Sequence, residues 1–385
     1  LKKERKFKGM KKLLILLCVM YSAYAVAQDE VTDNYKISSE ASLSLNSPYH
    51  ASEGILMTIG KDSLLDIFRL DTSNAHMSNY GSIVKRFSYD GGKTWTPYTL
   101  VYHGPADDRN IGGGYKNGMV IVFFRELNQG HGYVRYLMFS HDKGKTFTSP
   151  ARVAQKIQTV VGVPFGQLVT ADSGKIYQLY YSQSKINLIY SYDGTNWSVP
   201  TEVYNDTSRV IGEPAMVYCG KGKLLILARR DKGYFPYEQF VSSDNGNTWV
   251  DEGSTNIGVD ATPFTFNDVS PYMTYDSVHD VIIALATIRP RDRKTGGTTG
   301  GVLLYVNTPA SVFTNRLGWS FRGKLNRPEP NMDDFYGYPV LARINKDEWI
   351  GILTDAVPVG GVSGYTIYGH QHASLYQFTI TYNEH

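Results

Sequence analysis

The sequence predicts an all-β fold, a six-bladed β-propeller of four-stranded antiparallel blades, and two observations carry that prediction. First, one turn motif recurs at nearly constant spacing. Its copies are Ser88-Tyr89-Asp90-Gly91-Gly92-Lys93-Thr94-Trp95, Ser140-His141-Asp142-Lys143-Gly144-Lys145-Thr146-Phe147, the shorter Ser191-Tyr192-Asp193-Gly194-Thr195-Asn196-Trp197, and Ser242-Ser243-Asp244-Asn245-Gly246-Asn247-Thr248-Trp249. They start 51 or 52 residues apart, a fixed period of the kind that marks repeat architectures. Second, short apolar and β-branched runs alternate with Gly, Asp and Asn turns, and no segment holds a long helical period. Short strands in units of this length fit four-stranded blades.

Each copy of the motif closes a hairpin. The aspartate accepts hydrogen bonds from backbone N–H groups just downstream, the glycine supplies a backbone angle that other residues resist, and the Trp or Phe packs under the turn. Extended stretches precede the copies, as in Ser82–Phe87, Tyr133–Phe139 and Asn187–Tyr190. One lone carboxylate per turn is a poor metal site, so the aspartates read as architecture, and neither metal nor cofactor is expected. A fifth unit runs through Val281–Ala286 and Val302–Val306. A sixth uses Pro339–Ala342, Trp349–Leu353 and Ser374–Phe378, closed by the N-terminal strand. Residues 28–48 read as a lead-in strand and linker, and residues 49–385 as one propeller.

The N-terminus has the form of an export signal. Met10-Lys11-Lys12, the apolar run Leu13–Leu17 and the small-residue ending Ala25-Val26-Ala27 follow the usual order of such a segment, with residues 1–9 an over-extended start. Residues 1–27 are therefore expected to be removed and the protein exported; a lipoprotein signal at Cys18 fits less well, because Leu17 precedes it. No other run is long enough to span a bilayer. Only Cys219 would then remain, so no internal disulfide can form. The formal net charge of +3 includes lysines and arginines of that leader, which argues against a nucleic-acid partner. The 29 tyrosines suit a β-rich protein with a sugar-stacking cleft. A monomer is expected.

With its repeated Asp boxes, the chain resembles the sialidase (neuraminidase) superfamily, whose members carry BNR repeats on a six-bladed propeller. The resemblance extends over essentially the whole chain after the leader. It implies an arginine grip on a substrate carboxylate, a tyrosine nucleophile assisted by a glutamate, and an aspartate acid/base. Glu213-Pro214-Ala215-Met216-Val217-Tyr218, a hairpin, and Leu224-Leu225-Ile226-Leu227-Ala228-Arg229 resemble the family's glutamate and arginine strands. On that resemblance Glu213 polarises the tyrosine and Arg229 holds the carboxylate. Tyr336, in Asp333-Asp334-Phe335-Tyr336-Gly337-Tyr338-Pro339, matches the nucleophile, with Tyr338 its rival. Arg289 is the first choice for a third arginine, ahead of Arg291 and Arg293.

Two positions depart from the family pattern. His50, in Tyr49-His50-Ala51-Ser52, stands where the first arginine belongs, and His76 stands where the acid/base aspartate belongs. Arg69 matches the family's next arginine. A histidine can act as general acid or base near neutral pH, which makes His76 a catalytic candidate and His50 a substrate-binding one. Asp107-Asp108-Arg109-Asn110-Ile111-Gly112-Gly113-Gly114 opens the second unit. It reads either as a catalytic carboxylate, Asp108, with Arg109 as a clamp, or as a loop whose aspartates pair with Arg109. Arg125 sits at the same place in its unit as Arg229 and is a further substrate-binding candidate.

Three functions follow. The first is an exported glycoside hydrolase acting at terminal acidic sugars of a glycan. The second is a polysaccharide lyase on uronates using histidine and tyrosine, and the third is a glycan-binding propeller without catalysis.

Overall fold

The computed structural model describes residues 32–128, 132–154, 157, 162–182, 184–230, 236–257, 270–288, 301–314, 316–326, 335–358 and 371–384. They form an all-β fold of curled sheets. Two short strands, β1 (Tyr35–Ile37) and β2 (Ser42–Leu45), come first. The first unit holds β3 (His50–Gly60), β4 (Ser63–Asp71), β5 (Gly81–Ser88) and β6 (Thr99–Tyr102); the second holds β7 (Asp107–Lys116), β8 (Met119–Asn128), β9 (Gly132–Ser140) and β10 (Ala151–Arg152). The third has β11 (Val163–Thr170), β12 (Ile176–Ser182), β13 (Lys185–Ser191) and β14 (Thr201–Asn205), and the fourth has β15 (Ile211–Tyr218), β16 (Leu224–Arg230), β17 (Glu238–Ser242) and β18 (Val250–Ser254). In the fifth are β19 (Tyr272–Asp276), β20 (Val281–Ile288), β21 (Gly301–Asn307) and β22 (Ser320–Asn326). The sixth comprises β23 (Phe335–Asn345), β24 (Glu348–Pro358) and β25 (Gln371–Tyr382).

Within each unit consecutive strands pair antiparallel, and β1 and β2 pair antiparallel with β25, so the two chain ends share one sheet. Tyr35 on β1 also donates its hydroxyl to Asp276 on β19, 2.7 Å away. The first strands of the units, β3, β7, β11, β15, β19 and β23, contact one another in that order, and β23 contacts β3. Residues of all six line one cavity at the centre of the molecule.

The core lies between units, because the middle strands bury both faces. Leu224 and Ile226 pack with Leu179 and Leu188 of the third unit, whereas Leu225 and Leu227 pack with Ile282, Ala284 and Leu303 of the fifth. This period-two division explains why β16 and β21 read as unbroken apolar runs. Gly112 permits close approach at the centre, since a Cβ there would lie 2.8 Å from Gln178 Nε2. Asp107–Gly114 is accordingly buried strand, not the loop that its glycines and aspartates also allow. Among the described residues no helix is long and apolar enough to cross a membrane.

The repeated turns join third strands to fourth strands. In the first, Asp90 Oδ1 accepts from the Thr94 N–H at 2.9 Å and from Ser88 Oγ at 2.9 Å, while Oδ2 accepts from the Thr94 hydroxyl at 2.6 Å. Asp142 and Asp244 repeat the pattern. These donors, the Thr94 hydroxyl foremost, depress the Asp90 pKa to about 2. A depressed carboxylate stabilises the fold above its unfolded value near 4 and loses that contribution as pH falls toward 2. Asp90→Ala is therefore expected to lower Tm at neutral pH and to leave turnover per folded molecule unchanged, since the turn lies far from the centre in its own unit. Thermal melts at pH 7 and pH 2.5, read beside activity, check this; lost activity in a folded variant would refute it.

Candidate functional site

Five of the six inner strands break register at matching places: Ser52/Gly54, Arg109/Gly112, Phe165/Val169, Gly212/Ala215 and Gly337/Val340. Within each break one residue has positive φ: Glu53 at 46°, Asn110 at 53°, Gly166 at 73°, Glu213 at 44° and Tyr338 at 51°. A bulge frees its residue from the ladder and re-aims the side chain, which also lets Pro214 and Pro339 follow without a missing ladder bond. Glutamate and tyrosine resist this conformation, at a cost of about 1–2 kcal/mol each, and such strain gathers at functional sites.

The bulged side chains converge. Tyr338 Oη donates to Glu213 Oε1 at 3.3 Å, and Arg229 Nη1 donates to Glu213 Oε2 at 2.6 Å. Arg229 reaches it from β16, where it pairs with Gly212. Across the centre, Arg109 Nη2 donates to Glu53 Oε1 at 2.6 Å, and the Asn110 N–H donates to Oε2 at 3.1 Å. Burial pushes the Glu53 pKa up, but Arg109, Arg69 and the Asn110 N–H outweigh it and hold the carboxyl below its usual value. His76 Nε2 lies 3.3 Å from Arg109 Nη2 and 4.0 Å from Glu53 Oε1. Tyr181, on β12, is pushed well above the usual tyrosine value by burial and by the neighbouring charge of Glu213; its hydroxyl stays protonated and can donate.

Space and exposure say where a ligand can sit. The cavity between the inner strands, lined by Glu53, Ile111, Phe165, Met216, Tyr272 and Tyr338, holds about 40 Å³, enough for a few waters and far too little for a sugar ring. Side-chain exposure rises outward, from 3% at Glu53 and 5% at Arg109 to 12% at His76 and 20% at Arg229. A ligand larger than that cavity would therefore sit over the mouth, against Arg229, Glu213 and His76. Among the described residues no group of three His, Cys, Asp or Glu side chains is placed to hold a metal.

Of the residues singled out from the sequence, the structure brings together Glu213, Arg229, Tyr338, Arg109, His76 and, near Arg109 and Tyr181, Arg125. Others lie elsewhere. Arg69 is fully buried and locked between Asp71, 2.8 Å away, and Asp107, 2.8 Å away, so no substrate can reach it. His50 is fully buried, its ring 5.5 Å from that of His76. Burial first, then the charge of Arg69, lowers its pKa to about 3. It is a neutral packing group and not a substrate ligand. Tyr336 pairs through its backbone with Asp355, and its side chain lies outside the described residues. Arg289, Arg291, Arg293 and the leader 1–27 also lie outside them.

Asp108 points the other way. Its neighbours Asp107 and Arg109 face Arg69 and Glu53, and alternation along a strand turns Asp108 to the opposite face. There it accepts from the Gly104 N–H at 2.7 Å, with His103 at 3.8 Å and Glu126 opposite on β8. Burial, then the charge of Glu126, pushes its pKa up to about 8. The folded protein thus holds a proton that the unfolded chain releases near pH 4. Stability is complete below that value and falls as pH rises to about 8, by at most about 1.4 kcal/mol per unit. Asp108→Asn keeps the acceptor for Gly104 and should flatten this slope, as urea unfolding at pH 5 and pH 8 would read; an unchanged slope would refute the assignment.

Two residues of the cluster escape sequence reasoning, Glu53 and Tyr181. Glu53 had a usable signal: Ser52-Glu53-Gly54 opens its apolar strand as Gly212-Glu213-Pro214 opens the fourth unit's. Tyr181 had the signal of position only, near the end of a second strand as Arg125 and Arg229 are.

No protein-family model matches the chain, and no curated protein sequence matches it. Solved structures do. A protein of unknown function from Dyadobacter fermentans superimposes with TM-score 0.68 at 15% identity, over 91% of this chain and 100% of that one. The NanB sialidase of Streptococcus pneumoniae superimposes with TM-score 0.62 at 11% identity, over 88% of this chain and 70% of that one. The Trypanosoma rangeli sialidase in complex with sialic acid gives TM-score 0.62 at 13% identity, over 90% of this chain. The match spans only 58% of the Trypanosoma enzyme. At these identities the likeness is one of fold: the chain has a sialidase-like β fold.

Proposed function

We propose that the six units close as a six-bladed propeller and that the chain is an exported, sialidase-like glycoside hydrolase acting on terminal acidic sugars of glycans. The observation that carries the reading is the Tyr338–Glu213 hydrogen bond at 3.3 Å, with Arg229 on the second carboxylate oxygen. A phenol is protonated at neutral pH and needs a base to attack. As Tyr338 Oη bonds to the anomeric carbon, Glu213 takes its proton. The glycosidic bond breaks, and the leaving oxygen takes a proton from His76, whose Nε2 lies 4.0 Å from Glu53 Oε1. Water, deprotonated by His76, then releases the sugar from Tyr338, and the phenolate recovers its proton from Glu213. A tyrosine suits an anionic sugar, which would repel a carboxylate nucleophile; tyrosine nucleophiles are the recognised exception among glycosidases. Arg229, 2.6 Å from the second oxygen of Glu213, keeps that carboxylate aimed.

Support also comes from the Trypanosoma rangeli sialidase, solved as a covalent intermediate with 2,3-difluorosialic acid. The same class of trap tests the reading here. Incubation with a 2,3-difluorinated sialic acid, or with a 2-fluoro uronosyl fluoride, should add one sugar mass to the peptide carrying Tyr338 as the anomeric fluoride leaves. A free sugar released from a sialylated or uronate-capped glycan is the matching product. An unsaturated product absorbing in the ultraviolet would instead assign the site to β-elimination, and binding without any product would leave a glycan-binding module.

A further inference from the structure

We infer that the anionic group of the substrate docks on Arg125, from the second unit, and not on the arginines tied to carboxylates. The inference rests on the reading that this site receives an anionic glycan, and it deepens that reading. Four described arginines lie at or behind the mouth. Arg69 is held by Asp71 and Asp107, Arg109 by Glu53 and Asp107, and Arg229 by Glu213. Arg125 has no hydrogen bond or ion pair among the described residues, and its Nε is buried without a partner. Its guanidinium lies over the Tyr133 ring, 5.2 Å from the centroid. Stacked so, it keeps its N–H edge free for a planar or tetrahedral oxyanion.

Its neighbours make the vacancy costly. In the register of β7, β8 and β9, Arg109 faces Arg125 and Arg125 faces Arg135. Directly opposed residues share one face of a sheet, and like charges there repel. Arg109 has its carboxylates, and Arg135 is anchored on the Gly162 and Ile157 carbonyls and the Tyr133 hydroxyl. The middle cation has no hydrogen-bond or ion-pair partner among the described residues, inside a largely buried setting where an uncompensated charge is expensive. Burial and the repulsion of Arg109 act on it in the same direction. An incoming carboxylate or sulfate relieves both. Tyr181 lies close enough to feel the charges of Arg125 and Glu213 together, and its protonated hydroxyl can donate between them. The acidic group would thus sit on the Arg125–Tyr181 side, with the anomeric carbon toward Tyr338.

Binding to the full chain tests this independently of turnover. Sialic acid, glucuronate, galactose 6-sulfate and neutral galactose are titrated calorimetrically against the parent and Arg125→Gln. The expected result is that the variant loses affinity for the acidic sugars by about tenfold or more and is unchanged toward galactose. Whether carboxylated or sulfated sugars bind the parent better identifies the oxyanion. Inorganic sulfate should raise the parent's Tm and not the variant's, while Arg125→Gln without ligand should melt at or above the parent, having lost a repelled charge. If Arg125→Gln binds acidic sugars like the parent while Arg229→Gln does not, the inference is overturned and the hydrolase reading stands. Arg125-dependent binding without any cleavage sustains the inference and removes the hydrolase. A parent that binds no acidic sugar removes both.

Discussion

Tyr338→Phe is expected to abolish glycoside cleavage, with a loss of at least about a thousandfold, while the protein melts within a degree or two of the parent. The substitution removes one hydroxyl from a side chain already aimed at Glu213. The ring, its left-handed backbone and the following Pro339 are kept. Affinity for the acidic sugar should change little, so the loss falls on kcat and not on KM. Tyr336→Phe is the control: it should leave cleavage intact, because the tyrosine bonded to Glu213 is Tyr338. Activity surviving in Tyr338→Phe and vanishing in Tyr336→Phe would move the nucleophile two residues along the chain and sink the present assignment.

The second large effect concerns stability. Arg69→Met should cost about 3–5 kcal/mol, the usual penalty for stranding a buried charge, because Asp71 and Asp107 would lose the cation between them. That is a large part of the 5–15 kcal/mol that holds a typical domain, so little folded protein is expected at 37 °C. Arg69→Lys should fail nearly as badly: Arg69 bonds Asp107 through Nε and Asp71 through Nη2, a fork that an ammonium cannot copy. Adding Asp71→Asn to Arg69→Met should recover part of the loss. Urea unfolding of the three variants measures it. An Arg69→Met protein as stable as the parent but weak in substrate binding would return Arg69 to the site.

The contrast between Arg69 and Arg229 shows what a sequence discloses and what it withholds. Both follow apolar second strands, and both look alike in the chain. One meets a glutamate on the adjacent strand, sixteen residues back; the other meets Asp107, thirty-eight residues on, brought in by a different unit. The all-β class and the strand units were legible because the turns are local: Asp90 reaches donors within four residues. The meeting of Glu213 and Arg229 was legible for the same reason, being one hairpin. Which of the two readings of Asp108 holds was not legible, because facing depends on a single-residue register, and Asn110 shifts that register inside the strand. Glu53 is marked in the sequence only by the likeness of Ser52-Glu53-Gly54 to Gly212-Glu213-Pro214, since a bulge leaves no mark in composition when its residue is glutamate and not glycine.

Matching bulges in the inner strands also bear on how such a site can change over generations. Each works as a socket, holding one residue over the centre while the rest of its strand keeps the core. Glu53, Asn110, Glu213 and Tyr338 fill four of them, and Gly166 leaves the socket of the third unit empty. A side chain there would meet nothing nearer than the Pro214 carbonyl, 3.4 Å from its Cβ, and its backbone angle of 73° is one that Asn and Asp adopt more readily than most. The fold thus carries an unspent degree of freedom: a single codon in the third unit can add a polar group beside Glu213 without disturbing the boxed turns or the packing between units. Divergence of specificity on this scaffold needs no new loop, only a different occupant in a socket already built.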